Sequence, residues 1–531
     1  MHSTRLPFAD ASGRLSRILL PLVLTVAFAS PTIPARADDD VPGFVAEIVP
    51  ELEEYISQGM SSFDLPGLAV GIVTGDKLVY AKGFGTRRKG GEPVDTKTVF
   101  QIGSTSKAFL ATMLAISVDR GDFKWDDRVV DIDPTFQMKD PWVTQEFRVF
   151  DIISQRSGLP PYVNDIFSML GFDRTAMIRS LRFVEPRTSF RSTFSYTNLT
   201  HLVAGGIVTR AAGAEDWEAA LRSEIFEPLG MDDSSASAAG IEAAPNHAVG
   251  HRWTADGTVE VPFTHLFPYN LDGAGAINSN VEDMAQWLRL QLADGKFDGD
   301  EIVSKENLAA TRVPRVGLSD TYSYAMGWGL QSTPNGEIIW HNGGTLSFGA
   351  FVGILPSRNA GIVVLSNETN MGFPDAVGLW VLDRFLGNPE IDYAAQKLNA
   401  AKALGETASA QQDASAGQRS PMPFEQLAGD YRNDAMGPVT VTQEGDALAV
   451  AFTTGASITL TPWREDVFAA TLAPVSGFET ISESLGPDPI AFAQFQIDGS
   501  GSHNLLRLSM EDGQSYVFTR VRSASEEGSG E

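Results

Sequence analysis

Ser104 and Lys107 stand three residues apart in Gln101–Gly121, QIGSTSKAFLATMLAISVDRG, at the front of an apolar run that reads as a helix. On a helix, positions i and i+3 share a face, so the amine can reach the hydroxyl. A serine hydroxyl is a weak nucleophile until a base takes its proton. A lysine serves as that base only when neutral, and burial and the positive end of a helix both lower its pKa. Gly103 lets the chain turn sharply before the helix. The backbone N–H of Ser104 could hold the oxyanion of an attacked carbonyl. The chemistry on offer is acyl transfer. Alone the motif is weak, since Ser-x-x-Lys arises by chance about once or twice in a chain this long.

Partners for such a pair lie further along. FSYTNLTHLVAGGIV places Tyr196 and Asn198 two apart. A tyrosine hydroxyl near a lysine can relay protons, and an asparagine amide can hold a substrate amide or fix the lysine. The same spacing occurs at Tyr431 and Asn433, in what reads as a separate β domain, and at Tyr162 and Asn164 after SGLPP, which stays a candidate; for each of the three a loop tyrosine beside a turn asparagine is the alternative. WHNGGTLSFGAF carries His341, Asn342, Gly343 and Gly344. Glycines there let a strand backbone approach a ligand closely, and the N–H of Gly344 could be a second oxyanion donor. His341 could bind a substrate carboxylate or hydrogen-bond the tyrosine.

Other chemistries lack their residues. There is no cysteine, which excludes disulfides, thiol nucleophiles and thiolate metal sites. The histidines are scattered and no His-Glu-x-x-His occurs, so no metal site is expected. His247 and His251 are four apart, but Gly and Pro around them argue against a metal-binding helix. Gly-x-Ser-x-Gly, phosphate-loop and Gly-x-Gly-x-x-Gly motifs are all missing, so neither a nucleophile elbow nor a cofactor is expected. The net charge of -27 disfavours nucleic acid and anionic membrane surfaces as partners.

The elements that must position these residues follow from pattern. The chain has 531 residues, 43% of them apolar, enough for two or three domains. Arg5, Arg14 and Arg17 precede the apolar stretch Ile18–Ala29, and Ala35 and Ala37 have signal-peptidase spacing. They predict a secretory signal over 1–37, cleaved after Ala37; the apolar stretch is too short to span a bilayer. Residues 41–387 mix strands and helices: two strands around a Gly-Asp turn in Leu68–Gly85, a helix with an apolar stripe over Thr105–Arg120, and an amphipathic helix capped by Asn280. Three strands are expected within Ile338–Asn367. Residues 388–421 read as a linker whose first half could be helical. Residues 422–522 alternate with period two and predict a separate β domain, and 523–531 a disordered tail.

Taken in order, Ser104-x-x-Lys107, Tyr196-x-Asn198 and His341-x-Gly343 resemble the penicillin-recognising serine hydrolases: class C β-lactamases, D,D-carboxypeptidases, D-aminopeptidases and related esterases. The resemblance runs from Val41 to Asn367 and includes PGLAVGIV, SGLPPY, EPRTSFRSTFSYTN, IFEPLGMDDS, GAGAINSNVEDMAQWL and YAMGWGL. It favours Tyr196 over Tyr162. It implies an α/β (α+β) fold of the β-lactamase/transpeptidase type: an antiparallel sheet flanked by helices, plus a helical lobe. The 422–522 segment resembles the lipocalin-like, barrel-like domain of some peptidase members, where it can border the site or support oligomers. The resemblance makes Ser104 the acylated nucleophile, with Lys107 and Tyr196 sharing acid and base duty. Asn198 positions substrate, and the N–H groups of Ser104 and Gly344 form the oxyanion hole. One departure matters: true β-lactamases usually carry Lys-Thr-Gly where this chain has His341-Asn342-Gly343. A neutral imidazole is a poorer partner for a β-lactam carboxylate than an ammonium. The expected function is an exported serine hydrolase acting on small or D-residue-containing peptides. A carboxylesterase, a β-lactamase and a non-catalytic penicillin-binding or sensor protein are the alternatives, and the oligomeric state stays open.

Overall fold

The computed structural model describes residues 41–254, 256–413, 423–497, 503–510 and 513–521. The expected signal over 1–37, the later part of the expected linker and the 523–531 tail lie outside the described residues.

The chain opens on helix α1 (Val41–Phe63) and an antiparallel pair, β1 (Gly67–Thr74) and β2 (Lys77–Gly85), joined at Gly75 and Asp76 as the Gly-Asp signal predicts. Helices α2 (Ser106–Arg120), α3 (Leu199–Ala211) and α4 (Val281–Leu292) follow. Asn280 caps α4 by accepting from the N–H groups of Glu282 and Asp283. Six strands then complete the sheet: β3 (Val316–Gly317), β4 (Tyr322–Tyr324), β5 (Gly329–Thr333), β6 (Gly336–Gly344), β7 (Gly349–Leu355) and β8 (Ala360–Ser366). The last three are the strands expected in Ile338–Asn367. The eight lie in the order β2-β1-β8-β7-β6-β5-β4-β3, every neighbour antiparallel.

The central strands β1, β7 and β8 are buried at every residue, because both faces of the sheet are covered. Alternate residues serve opposite cores. Leu68, Val70 and Ile72 pack with α1 and with helix α5 (Phe373–Leu386), whereas Ala69 and Val73 face α2 and α4. The DLPGL segment (residues 64–68) lies on the α1 side, with Leu65 and Leu68 buried there.

Helix α2 departs from the expected stripe. Every residue from Ser106 to Ser117 is buried, so the helix runs through the core and has no polar face over that length. Phe109 stacks on Trp287 at 4.2 Å, and Trp287 on Trp328 at 5.5 Å. Gly121 ends the helix at φ +83, the left-handed cap that glycine adopts without strain.

Within the 388–421 stretch Tyr393–Asp413 is a helix, α6, which runs beyond the first half expected to be helical. Its start is docked: the Tyr393 hydroxyl donates to Asp383 Oδ2 at 2.6 Å, and Ala401 is buried. The C-terminal segment folds as a closed barrel of eight strands, β9 (Gly429–Asn433), β10 (Gly437–Glu444), β11 (Ala447–Phe452), β12 (Ser457–Arg464), β13 (Val467–Leu472), β14 (Ala491–Ile497), β15 (His503–Ser509) and β16 (Ser515–Arg520). Residues two apart point inward, such as Leu448, Val450 and Phe452, or Leu506 and Leu508, which is the period-two pattern of the sequence. Pairing of Tyr431 with Arg520 closes the barrel and leaves it no open edge.

Candidate active site

Strand β6, the start of α2 and the start of α3 meet at one place. Gly103 takes φ +50 and opens a single 3-10 turn, Gly103–Thr105, that leads straight into α2. A Cβ on Gly103 would lie 2.7 Å from Gly344 N, and one on Gly343 only 1.9 Å from Ile102 O. Both positions thus need glycine, since the end of β6 lies directly against the Ser104 turn. This contact sets the backbone nitrogen of Ser104 beside Gly343 and that of Gly344 beside Gly103.

Lys107 points back from the first turn of α2. Its Nζ lies 2.9 Å from Ser104 Oγ, 2.8 Å from Asn198 Oδ1 and 2.6 Å from the carbonyl of Ala274. Burial pulls its pKa down to about 7, against a smaller upward pull from the Asp165 carboxylate. A substantial fraction is therefore neutral near neutral pH. A neutral amine has two N–H bonds and one lone pair. The Ala274 carbonyl can only accept. The Asn198 amide is oriented by its Nδ2, which donates to Asp165 Oδ2 at 2.7 Å, so its Oδ1 also accepts. Those two acceptors take both N–H bonds and leave the lone pair for the Ser104 hydroxyl.

Tyr196 closes the other side. Lys107 Nζ sits 4.8 Å from the centre of its ring, and Ser104 lies near enough to its hydroxyl to pull its pKa down slightly against burial. Burial holds its pKa well above the usual tyrosine value, so the resting phenol keeps its proton. Tyr162, at φ +55, supports it: its N–H donates to the Tyr196 carbonyl at 2.7 Å, and the rings lie 5.4 Å apart.

His341 lies 6.2 Å from Tyr196, ring centre to ring centre, but the tyrosine it bonds is Tyr324, with Nε2 3.0 Å from that hydroxyl. Nδ1 is 2.6 Å from the Asn342 carbonyl. A carbonyl only accepts, so Nδ1 carries the proton and Nε2 accepts from Tyr324. Burial, and then the Lys107 charge, push the His341 pKa down to about 3. The ring is neutral and has no free N–H to offer a carboxylate. Asn342 turns to the opposite face of β6 and donates to Asp375, as strand alternation requires.

The structure gathers Ser104, Lys107, Tyr196, Asn198, His341, Gly343 and Gly344 into one cluster. It adds residues that spacing did not show: Asp165, Tyr324, the Ala274 carbonyl and His201. His201 is fully buried one turn after Asn198, and burial keeps it neutral, with its pKa well below the usual histidine value. Tyr162, which repeats the Tyr-x-Asn spacing, packs behind Tyr196. Among the described residues no group of three or more His, Asp or Glu is placed to hold a metal.

A family profile described as Beta-lactamase matches residues 52–383, more than half of the chain. The chain belongs to the β-lactamase family of penicillin-recognising serine hydrolases. A second profile, for a domain of unknown function (DUF3471), matches residues 413–520, which include the barrel. An unguisins hydrolase of Aspergillus campestris is 28% identical over 340 residues, 60% of this chain and 61% of the relative. Penicillin-binding protein 4 of Amycolatopsis lactamdurans is 28% identical over 281 residues, 50% of this chain and 70% of that one. This chain thus spans about three fifths of the unguisins hydrolase. The octameric penicillin-binding protein homologue from Pyrococcus abyssi superposes with a TM-score of 0.57 at 21% identity, covering 89% of this chain and all of that one. At that identity the likeness shows the fold.

Proposed function

We propose that this family member is an exported hydrolase that forms an acyl-enzyme on Ser104 and cleaves small or D-residue-containing peptides. The observation that carries the reading is the buried Lys107 amine 2.9 Å from the Ser104 hydroxyl, with a pKa near 7. Lys107 takes the Ser104 proton as Oγ bonds to the substrate carbonyl carbon. The N–H groups of Ser104 and Gly344 face the oxyanion that forms. Collapse breaks the bond to the leaving amine or alcohol, which receives a proton from the Tyr196 hydroxyl, refilled from Lys107. Water then attacks the acyl ester, gives a proton to Lys107, and releases the acid with Ser104 restored. Tyr196 acts as relay and Lys107 as resting base, because the phenol starts protonated.

The unguisins hydrolase relative supports hydrolysis over mere binding. The neutral His341 puts β-lactams behind peptides and simple esters as substrates, because it cannot pair with their carboxylate. Arg5, Arg14 and Arg17 before Ile18–Ala29 support export. Incubation with D-Ala-p-nitroanilide, p-nitrophenyl acetate and nitrocefin tests the ranking. Release of nitroaniline is expected to exceed nitrocefin turnover, and rapid nitrocefin turnover would overturn it.

A further inference from the structure

The turn from Pro161 to Leu170 touches both the candidate site and the barrel. Toward the site, Tyr162 backs Tyr196, and Asp165 accepts from Asn198, the residue that holds Lys107. Toward the barrel, Asn164 is almost fully buried. Its Oδ1 accepts from the Tyr516 hydroxyl at 2.8 Å, while its Nδ2 donates to Ser180 Oγ at 2.6 Å. Gln514, just before β16, brackets the same turn with one amide. Its Nε2 donates to the Pro161 carbonyl at 3.1 Å, and its Oε1 accepts from the Asn164 N–H at 3.2 Å. The Tyr516 ring packs on Phe167 at 6.0 Å.

Tyr162 and Asn164 both have positive φ, +55 and +58. Two non-glycine residues in left-handed geometry persist only where the surroundings hold them. Here the barrel supplies much of that hold. We propose that Gln514 and Tyr516 are positioning residues for catalysis: the barrel fixes the 161–170 turn and so keeps Asp165 against Asn198 beside Lys107. This inference rests on the acyl-enzyme reading only for its consequence in rate; the clamp itself is a matter of geometry.

The consequence is a shift in the proton affinity of Lys107. The titratable groups around it are Tyr196 and His201 from the 196–211 segment, His341 from β6, Tyr324 from β4, and Tyr162 and Asp165 from the turn. Asp165 is the nearby anion that favours the ammonium. If the turn relaxes and Asp165 withdraws, the Lys107 pKa falls.

The test uses the full-length chain carrying Gln514→Ala and Tyr516→Phe together. Gln514→Leu, which keeps similar size and adds no charge but loses both bonds to the turn, and Tyr516→Phe alone are the milder variants in case the pair does not fold. Hydrogen exchange over 161–170 reads the clamp. A 15N titration of Lys107 Nζ reads its proton without any turnover, and the pH dependence of Ser104 acylation by a fluorophosphonate reads the consequence. Faster exchange by about tenfold and a Lys107 midpoint lower by about half a unit are expected. Adding Asp165→Asn should bring the midpoint only to the value of Asp165→Asn alone, because both changes act through one charge. An unmoved Lys107 midpoint in a folded variant would overturn the proposal, whether or not exchange rises. A wild-type Ser104 inert to fluorophosphonate would instead overturn the acyl-enzyme reading, and the Lys107 titration would still decide the clamp.

Discussion

Lys107 and Asn198 are joined by a 2.8 Å hydrogen bond whose direction is fixed from behind, because the Asn198 amide nitrogen is committed to Asp165. An asparagine free to flip could offer the lysine a donor as easily as an acceptor. Held this way, it accepts in either protonation state of Lys107 and leaves the serine side for the lone pair.

The first expectation concerns pH. Lys107 acts as a base only when unprotonated, and its pKa is about 7. Acylation is therefore slow below pH 6, rises through about 7 and levels above it. Asp165 favours the ammonium, so Asp165→Asn moves the rise to lower pH, by up to about one unit. Stopped-flow acylation across pH 5 to 9 measures both.

Two neighbouring glycines separate contact from tolerance. Gly343→Ala drives a methyl to 1.9 Å from Ile102 O and 3.2 Å from Ser104 N, whereas a Cβ on Gly344 meets nothing nearer than Asn370 Cβ at 3.5 Å. Displacing β6 by a fraction of an ångström misaligns the Ser104 turn, and such shifts can cost about 100-fold. Gly343→Ala is expected to lose at least that in acylation rate, and Gly344→Ala less than about tenfold. The two rates, measured side by side, check the geometry.

His341 is expected not to titrate in the working range. With its pKa near 3, its ring 15N shifts stay constant from pH 5 to 9, and no inflection near the usual histidine value appears in the rate profile. Tyr324→Phe strips the donor from a buried Nε2, which costs about 1–3 kcal/mol of stability by urea unfolding.

Asp151 anchors the segment that leads to Tyr196. Its side chain is fully buried between Arg156 at 2.8 Å and Arg191 at 2.6 Å. Ser195 N then donates to the carbonyl of Gln155 at 2.8 Å, next to that pair. Asp151→Ala leaves two guanidiniums without their anion, and about 3–5 kcal/mol of stability is expected to be lost. Chemical denaturation of the two proteins reads the difference.

Much of this site was legible in the residues because its central pair is local. Ser104 and Lys107 meet through helix geometry alone, and His341 and Gly343 share a strand face through alternation. The β1–β2 hairpin and the three strands of β6 to β8 were equally plain from glycine turns and apolar runs. Asp165 was not, since it reaches Asn198 from a turn with no motif of its own. A backbone carbonyl such as that of Ala274 leaves no signature in side-chain identity. Tyr324 lies on a different strand from His341, and only the sheet order brings them together. Helix α2 misled for a related reason: a stripe was expected, but a helix sunk in the core buries its serines and threonine as well. The docking of Gln514 and Tyr516 on the 161–170 turn joins positions some 350 apart, beyond the reach of any local pattern.

The most direct measurement is intact-protein mass spectrometry of fluorophosphonate labelling against pH, on wild type and Ser104→Ala. One adduct per chain is expected on wild type, forming faster as pH passes about 7, with none on Ser104→Ala. An adduct that persists without Ser104, or a rate that stays flat from pH 5 to 9, would contradict a nucleophile activated by Lys107.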